Sequence, residues 1–125
     1  IGLPGDVSPP SRFVKTAVLL KLSLPVSNAA SAVNLAEHII NNVDIPRGLV
    51  REGQTGNVVN ELTQWVVFKD LTHKVLYYRT YDNMTLRSIS LAKLNLAPHA
   101  PRLKMPIENG PYTQDITQQF LATSH

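Results

Sequence analysis

Arg12 follows a Pro-Pro-Ser turn and opens a stretch of helical pattern, so its guanidinium is positioned to reach a carboxylate or an oxyanion in a cleft. A solvated surface arginine fits the same spacing. The run Tyr77, Tyr78, Arg79, Thr80, Tyr81 alternates like a strand, with Tyr77, Arg79 and Tyr81 on one face and Tyr78 and Thr80 on the other. It could line an aromatic pocket, or it could be an arginine stacked between half-buried tyrosines. His38, His73, His99 and His125 are far apart and outside any HExxH spacing, so they read as surface histidines and no metal or other cofactor is expected. Ser, His and Asp are all present, but no GxSxG elbow marks a nucleophilic serine. The glycines of RGLVREGQTGN fit neither a phosphate loop nor a dinucleotide fingerprint and read as turn residues.

These residues must be carried by regular elements. IGLPGDVSPPS is rich in Gly and Pro and reads as an ordered loop. From Arg12 to Leu22 the pattern predicts a helix, with Ser11 as N-cap, Phe13, Ala17 and Leu20 on one face, and Pro25 ending it. A second helix is expected from Ser27 or Asn28 to Asn42, its stripe formed by Val33, Ala36, Ile40 and Val43 and packed antiparallel to the first. DIPRGLVREGQTGN, with Pro46 and three glycines, predicts a long irregular connection. ELTQWVVFKD, KVLYYRTY and TLRSISL then read as a three-stranded antiparallel meander with turns at Asp70–His73 and Asp82–Met84. Pro98, Pro101, Pro106 and Pro111 turn residues 95–125 into an irregular Pro-rich tail, closed by a short helix in ITQQFLATSH.

The 125 residues suffice for one domain, and 43% apolar composition is enough for a core. A charged fraction of only 17% leaves surface to be covered by uncharged polar residues or by another protein segment. The net charge of +3 is scattered, without the cation clusters of a nucleic-acid binder. No apolar run reaches the roughly 20 residues of a membrane span, which predicts a soluble chain. The absence of cysteine rules out disulfides, thiolate metal sites and a thiol nucleophile within these residues. The meander is unfinished as a design, because three strands leave two edges and a face carrying Thr63, Trp65 and Val67 that something else should cover.

GLPGDVSPPSRFVK, at residues 2–15, resembles a stretch of the choloylglycine hydrolases and penicillin V acylases: Gly-hydrophobic-Pro-Gly-Asp, a Ser-rich turn, then Ser-Arg-Phe-Val and a basic residue. AEHIINNVDIPRGLVRE resembles that family's second helix and its following loop. ELTQWVVFKDLTHKVLYYRTYDNMTLRSISL is similar to its hairpin, in which a Glu–Thr strand meets a Leu-x-x-Lys turn and a Tyr-Tyr strand. The resemblance runs in order from Gly2 to about Leu91. It implies an α+β chain forming part of a four-layered αββα N-terminal-nucleophile hydrolase sandwich, with residues 1–125 the carboxy-terminal portion of one such domain.

The resemblance further implies hydrolysis of a linear amide C–N bond by an amino-terminal cysteine whose α-amino group is the base. Ile1 offers no thiol, so the partner expected for this chain is a missing amino-terminal segment carrying that cysteine, and the chain alone is expected to be inactive. Of the family's active-site positions only the arginine of Ser-Arg-Phe carries over, onto Arg12. The substrate classes implied are penicillin V, conjugated bile salts and acyl-homoserine lactones. The loop from Asp44 to Asn60 could add a wall to the substrate site. A homo-oligomer is expected once the protein is complete, in a bacterial cytoplasm or periplasm. The alternative is a truncated, non-catalytic module of the same fold that acts by binding or oligomerisation. A small unrelated α+β enzyme built around Arg12 and the tyrosines is the third reading.

Overall fold

A computed structural model describes residues 5–53, 56–107 and 110–122. Ile1, the Gly2–Pro4 start of the first motif and His125 lie outside the described residues.

Helix α1 spans Pro9–Leu22, three residues earlier than the pattern predicts, and Ser8 is its N-cap. The reason is proline chemistry: Pro9 and Pro10 fill the first helical positions, where no N–H is needed and φ is already helical. Ser11 is therefore a buried residue inside the first turn and not the cap. Helix α2 spans Ala29–Asn41, and its N-cap Asn28 accepts the Ser31 N–H at 2.8 Å. A short loop joins the end of α1 to the start of α2, and the Arg12 side chain at the start of α1 reaches Val43 just beyond α2, so the helices run antiparallel.

The orientation of α1 overturns one expectation. Phe13 and Leu20 are 75% and 66% exposed, because turning Arg12 toward α2 swings the neighbouring stripe about 100° away. On α2 the buried residue is Ile39 in place of Ile40, with Val43 and Ile45 buried beyond the helix end. Val33 and Ala36 face Phe68 across an open groove.

The connection after α2 is more ordered than its glycines suggest. Strands β1 (Val50–Glu52) and β2 (Val59–Glu61) pair antiparallel, Val50 opposite Glu61. Glu61 thus belongs to this hairpin, and the meander starts four residues later. Its strands are β3 (Trp65–Asp70), β4 (Val75–Thr80) and β5 (Arg87–Ser90), antiparallel in the order β3-β4-β5. The register pairs Val67 with Tyr78 and Tyr78 with Arg87.

Pleating gives the meander two unlike faces. One carries Val66, Phe68, Tyr77 and Arg79 toward α2. The other carries Trp65, Val67, Leu76, Tyr78 and Ile89, where Met105 and Ile107 of the Pro-rich segment border a cavity of about 290 Å³. Side chains hold that segment down. Arg87 Nη1 donates to the Ile107 carbonyl at 2.7 Å, Asn83 Nδ2 to Gly110 at 3.2 Å, and Thr85 Oγ1 to Tyr112 at 3.2 Å. A terminal helix, α3 (Thr117–Ala122), follows. Even so, Trp65 remains 56% exposed, and no side chain among the described residues is fully buried. The architecture is α+β, helices followed by antiparallel strands.

Candidate functional site

The first turn of α1 is set by a hydrogen-bonded cluster of short side chains. Asp6 accepts the Ser8 N–H at 2.9 Å and its hydroxyl, and the Ser8 and Ser11 hydroxyl oxygens lie 3.1 Å apart. The Ser11 hydroxyl foremost, then the Ser8 hydroxyl and N–H, hold the Asp6 carboxyl below its usual range. The Arg12 N–H closes the first helical bond to the Ser8 carbonyl at 3.0 Å. This turn directs Arg12 toward the end of α2, where Nε donates to the Val43 carbonyl at 3.1 Å. That carbonyl lies at the electronegative end of α2, a natural acceptor for a cation. With Nε occupied, neither Nη has a hydrogen-bond partner among the described residues.

Arg12 lines a cleft of about 540 Å³ with Ile45, Val59, Glu61, Thr63 and Trp65. The β1–β2 hairpin supplies one wall through Val59 and Glu61, and the approach to β3 supplies another. Such a cleft sets a fixed cation beside a carboxylate and apolar and hydrogen-bonding groups, which suits a substrate with an apolar body and a polar carbonyl. An adjoining cleft of about 510 Å³ shares Ile45, Thr63 and Trp65 and is bordered by Asp44, Arg79 and Tyr81.

Two ties brace the peptide after α2. The Ile45 N–H donates to Thr63 Oγ1 at 2.9 Å, and the Thr63 N–H returns a bond to the Ile45 carbonyl at 3.0 Å. Arg79 Nη2 lies 3.3 Å from Asp44 Oδ2 and also donates to Asn41 Oδ1. The Arg79 side chain is 4% exposed and that of Asp44 31%.

The structure therefore brings Arg12 into a cleft and separates it from the tyrosine run. Arg79 points at α2 and is not stacked between tyrosines. The stacked cation is Arg87, 4.6 Å from the centre of the Tyr78 ring on the opposite face. It sits there because β5 places Arg87 directly across from Tyr78. Tyr81 lies beyond β4 and accepts the Arg47 N–H on its hydroxyl at 3.1 Å. His73 pairs with Asp70 at 2.7 Å in the β3–β4 turn, and His38 ends α2. The contacts of Asp44 and Thr63 were not legible in the sequence, which put Thr63 on an uncovered strand face, since each acts on a residue at least 18 positions away.

The family model of the linear amide C–N hydrolases, choloylglycine hydrolase family, matches residues 1–115. The bile salt hydrolase/transferase of Clostridium perfringens is 37% identical over 98 residues, covering 77% of this chain and 28% of that protein. The crystal structure of a variant of the conjugated bile acid hydrolase from the same organism superposes with a TM-score of 0.67 at 28% identity, covering 92% of this chain and 34% of the other. Penicillin V acylase from Agrobacterium tumefaciens gives a TM-score of 0.62 at 22% identity, over 74% of this chain and 28% of that one, a likeness of fold. The chain thus spans about a third or less of the length of these relatives.

Proposed function

The chain belongs to the choloylglycine hydrolase family of linear amide C–N hydrolases, and from that premise we propose that it supplies the carboxy-terminal part of an amidase whose cysteine nucleophile is carried outside these residues. The observation carrying this reading is Arg12, fixed through Nε to Val43 and bordering a cleft with its Nη groups unengaged among the described residues. The partner segment brings the cysteine with its α-amino group. That amine takes the thiol proton, the sulfur attacks the amide carbonyl carbon, and negative charge gathers on the carbonyl oxygen. Collapse breaks the C–N bond as the amine passes the proton to the leaving nitrogen, and water then releases the acid from the thioester. The Arg12 guanidinium favours the thiolate and the developing oxyanion by its fixed charge. Without the partner segment the residues of this chain hydrolyse nothing.

The Clostridium perfringens relative is a bile salt hydrolase/transferase, which puts conjugated bile salts first among the candidate substrates, ahead of penicillin V and acyl-homoserine lactones. The complete protein is proposed to be a homo-oligomer. The test is hydrolysis of these three classes by a polypeptide that joins the chain to its cysteine-bearing segment. Activity on one class is expected, and Arg12→Ala should lower kcat by about 100-fold. Full activity of the Arg12→Ala protein, or hydrolysis by the present chain alone, would overturn the proposal.

A further inference from the structure

We infer that Thr63 is a positioning residue for Arg12, acting through the peptide Val43–Asp44–Ile45; this rests on the role proposed above for Arg12. The guanidinium is aimed by one bond to one carbonyl, that of Val43, 31 residues away in sequence. That carbonyl belongs to no strand and sits just past the end of α2, where backbone tends to fray. Its position is as good as the fixing of its neighbours. Ile45, two residues on, is held by a reciprocal pair, its N–H to Thr63 Oγ1 and its carbonyl from the Thr63 N–H. Between the two, Asp44 is tied to the buried Arg79, which also holds Asn41 in the last turn of α2. The Val43 carbonyl is thus clamped from both sides, and Thr63 is the clamp that also borders the cleft.

The chemistry at position 63 is specific. The Thr63 β-hydroxyl accepts the Ile45 N–H while its own backbone returns the second bond, so Ser should serve and Val, equal in shape but without an acceptor, should not. When the tie is lost, Ile45 and Val43 gain freedom and the Arg12 guanidinium loses its aim. An aim lost by a fraction of an ångström acts on the transition state more than on substrate binding.

The experiment is a double-mutant cycle in the joined polypeptide described above, with kcat and KM measured on the substrate it cleaves. Thr63→Val should lower kcat about tenfold with KM within about twofold, and Thr63→Ser should restore it. If Thr63 acts through Arg12, adding Thr63→Val to Arg12→Ala should cost nothing further, whereas a structural role would lower kcat by the same factor in both backgrounds. Additive losses, or a Thr63→Val protein with the kcat of the parent, overturn the inference and leave the role of Arg12 standing. Full activity of Arg12→Ala alone instead removes the reading on which the inference rests. Should Thr63→Val not fold, Thr63→Ala, which also lacks the hydroxyl, enters the same cycle, with the same two outcomes. If the parent protein cleaves none of the three classes, hydrogen exchange of the Arg12 Nε–H, read by NMR, decides the matter. It should quicken about tenfold in Thr63→Val or Thr63→Ala if the clamp holds Arg12, and unchanged exchange would overturn the inference.

Discussion

Removing either partner of the Arg79–Asp44 pair should destabilise the protein unequally, and burial says which loss is larger. The Arg79 side chain is 4% exposed while that of Asp44 is 31% exposed. If Arg79→Met removes the cation and keeps most of the aliphatic volume, Asp44 can rotate into water and Asn41 loses one hydrogen bond, that from the guanidinium. The cost should be about 1 kcal/mol, the worth of ordinary hydrogen bonds. If Asp44→Ala removes the anion, a guanidinium stays buried with the Asn41 side-chain oxygen as its remaining acceptor among the described residues. An uncompensated buried charge costs about 3–5 kcal/mol, and the Asn41 contact puts the expectation near 3. Urea unfolding of the two variants, at equal m-values, measures the difference directly. If Arg79→Met is the more damaging, or if the two are equal within error, the argument from asymmetric burial is wrong.

The β1–β2 turn should not accept a side chain at position 53. Gly53 has φ +114°, and a Cβ there would collide with the Asn57 carbonyl oxygen, so Gly53→Ala should cost about 2 kcal/mol and loosen the wall of the Arg12 cleft; an unchanged melting temperature would refute this. The β3–β4 turn should open in acid. The His73 N–H, then the His73 side chain, hold the Asp70 carboxyl below its ordinary range, so its stabilising contribution is present above the unfolded pKa and is lost as pH falls through the lower folded one. An NMR titration of the His73 amide should show the change below about pH 4, and a signal unmoved down to about pH 2 would count against it. Trp65, the only tryptophan of the chain, is 56% exposed. Its fluorescence should be water-like and iodide-quenchable in this chain alone and shift to the blue when the proposed cysteine-bearing segment is joined. A blue, unquenched emission from the chain alone would mean that this face is covered by other means, such as self-association.

Periodicity and punctuation made most of the elements legible. The second helix, the three strands of the meander and both of its turns stand close to where periodicity and the Asp and Asn signals put them, although the first strand starts at Trp65 and not at Glu61. The misses have local or geometric causes. The start of α1 was obscured because Pro9 and Pro10 read as breakers, although the first turn of a helix is where proline is tolerated. The β1–β2 hairpin escaped because its strands have three residues each, too few for alternation to register. The exposure of Phe13 and Leu20 depends on which side of α1 meets α2, which one long-range bond from Arg12 decides. The clamp around Val43 was invisible for the same reason. Arg79 and Asp44 are 35 residues apart, and Thr63 and Ile45 are 18 apart.

Two arginines converge on the end of α2, and the contrast between them explains why only one suits a role toward substrate. The exposed carbonyls and partial negative charge of a helix end attract cations of either origin. Arg79, coming from a strand beneath, is almost wholly buried and its charge is met by Asp44 and Asn41. To meet a substrate it would have to break that pair inside the protein, leaving Asp44 without its partner, so its charge is committed to structure. Arg12 arrives from the first turn of α1, is only half-buried, and uses a single nitrogen to take its bearing from Val43. A cation held at one atom and open at the others keeps both direction and free valence, the combination that electrostatic stabilisation of a developing charge requires. The structural arginine in turn steadies the chain from which the other takes its direction. A lysine at position 12 has one nitrogen where arginine has three, so a single group would have to serve both Val43 and the cleft. On this argument Arg12→Lys keeps the charge but loses its direction, so it should lower the kcat of the joined polypeptide although the role proposed for Arg12 is electrostatic.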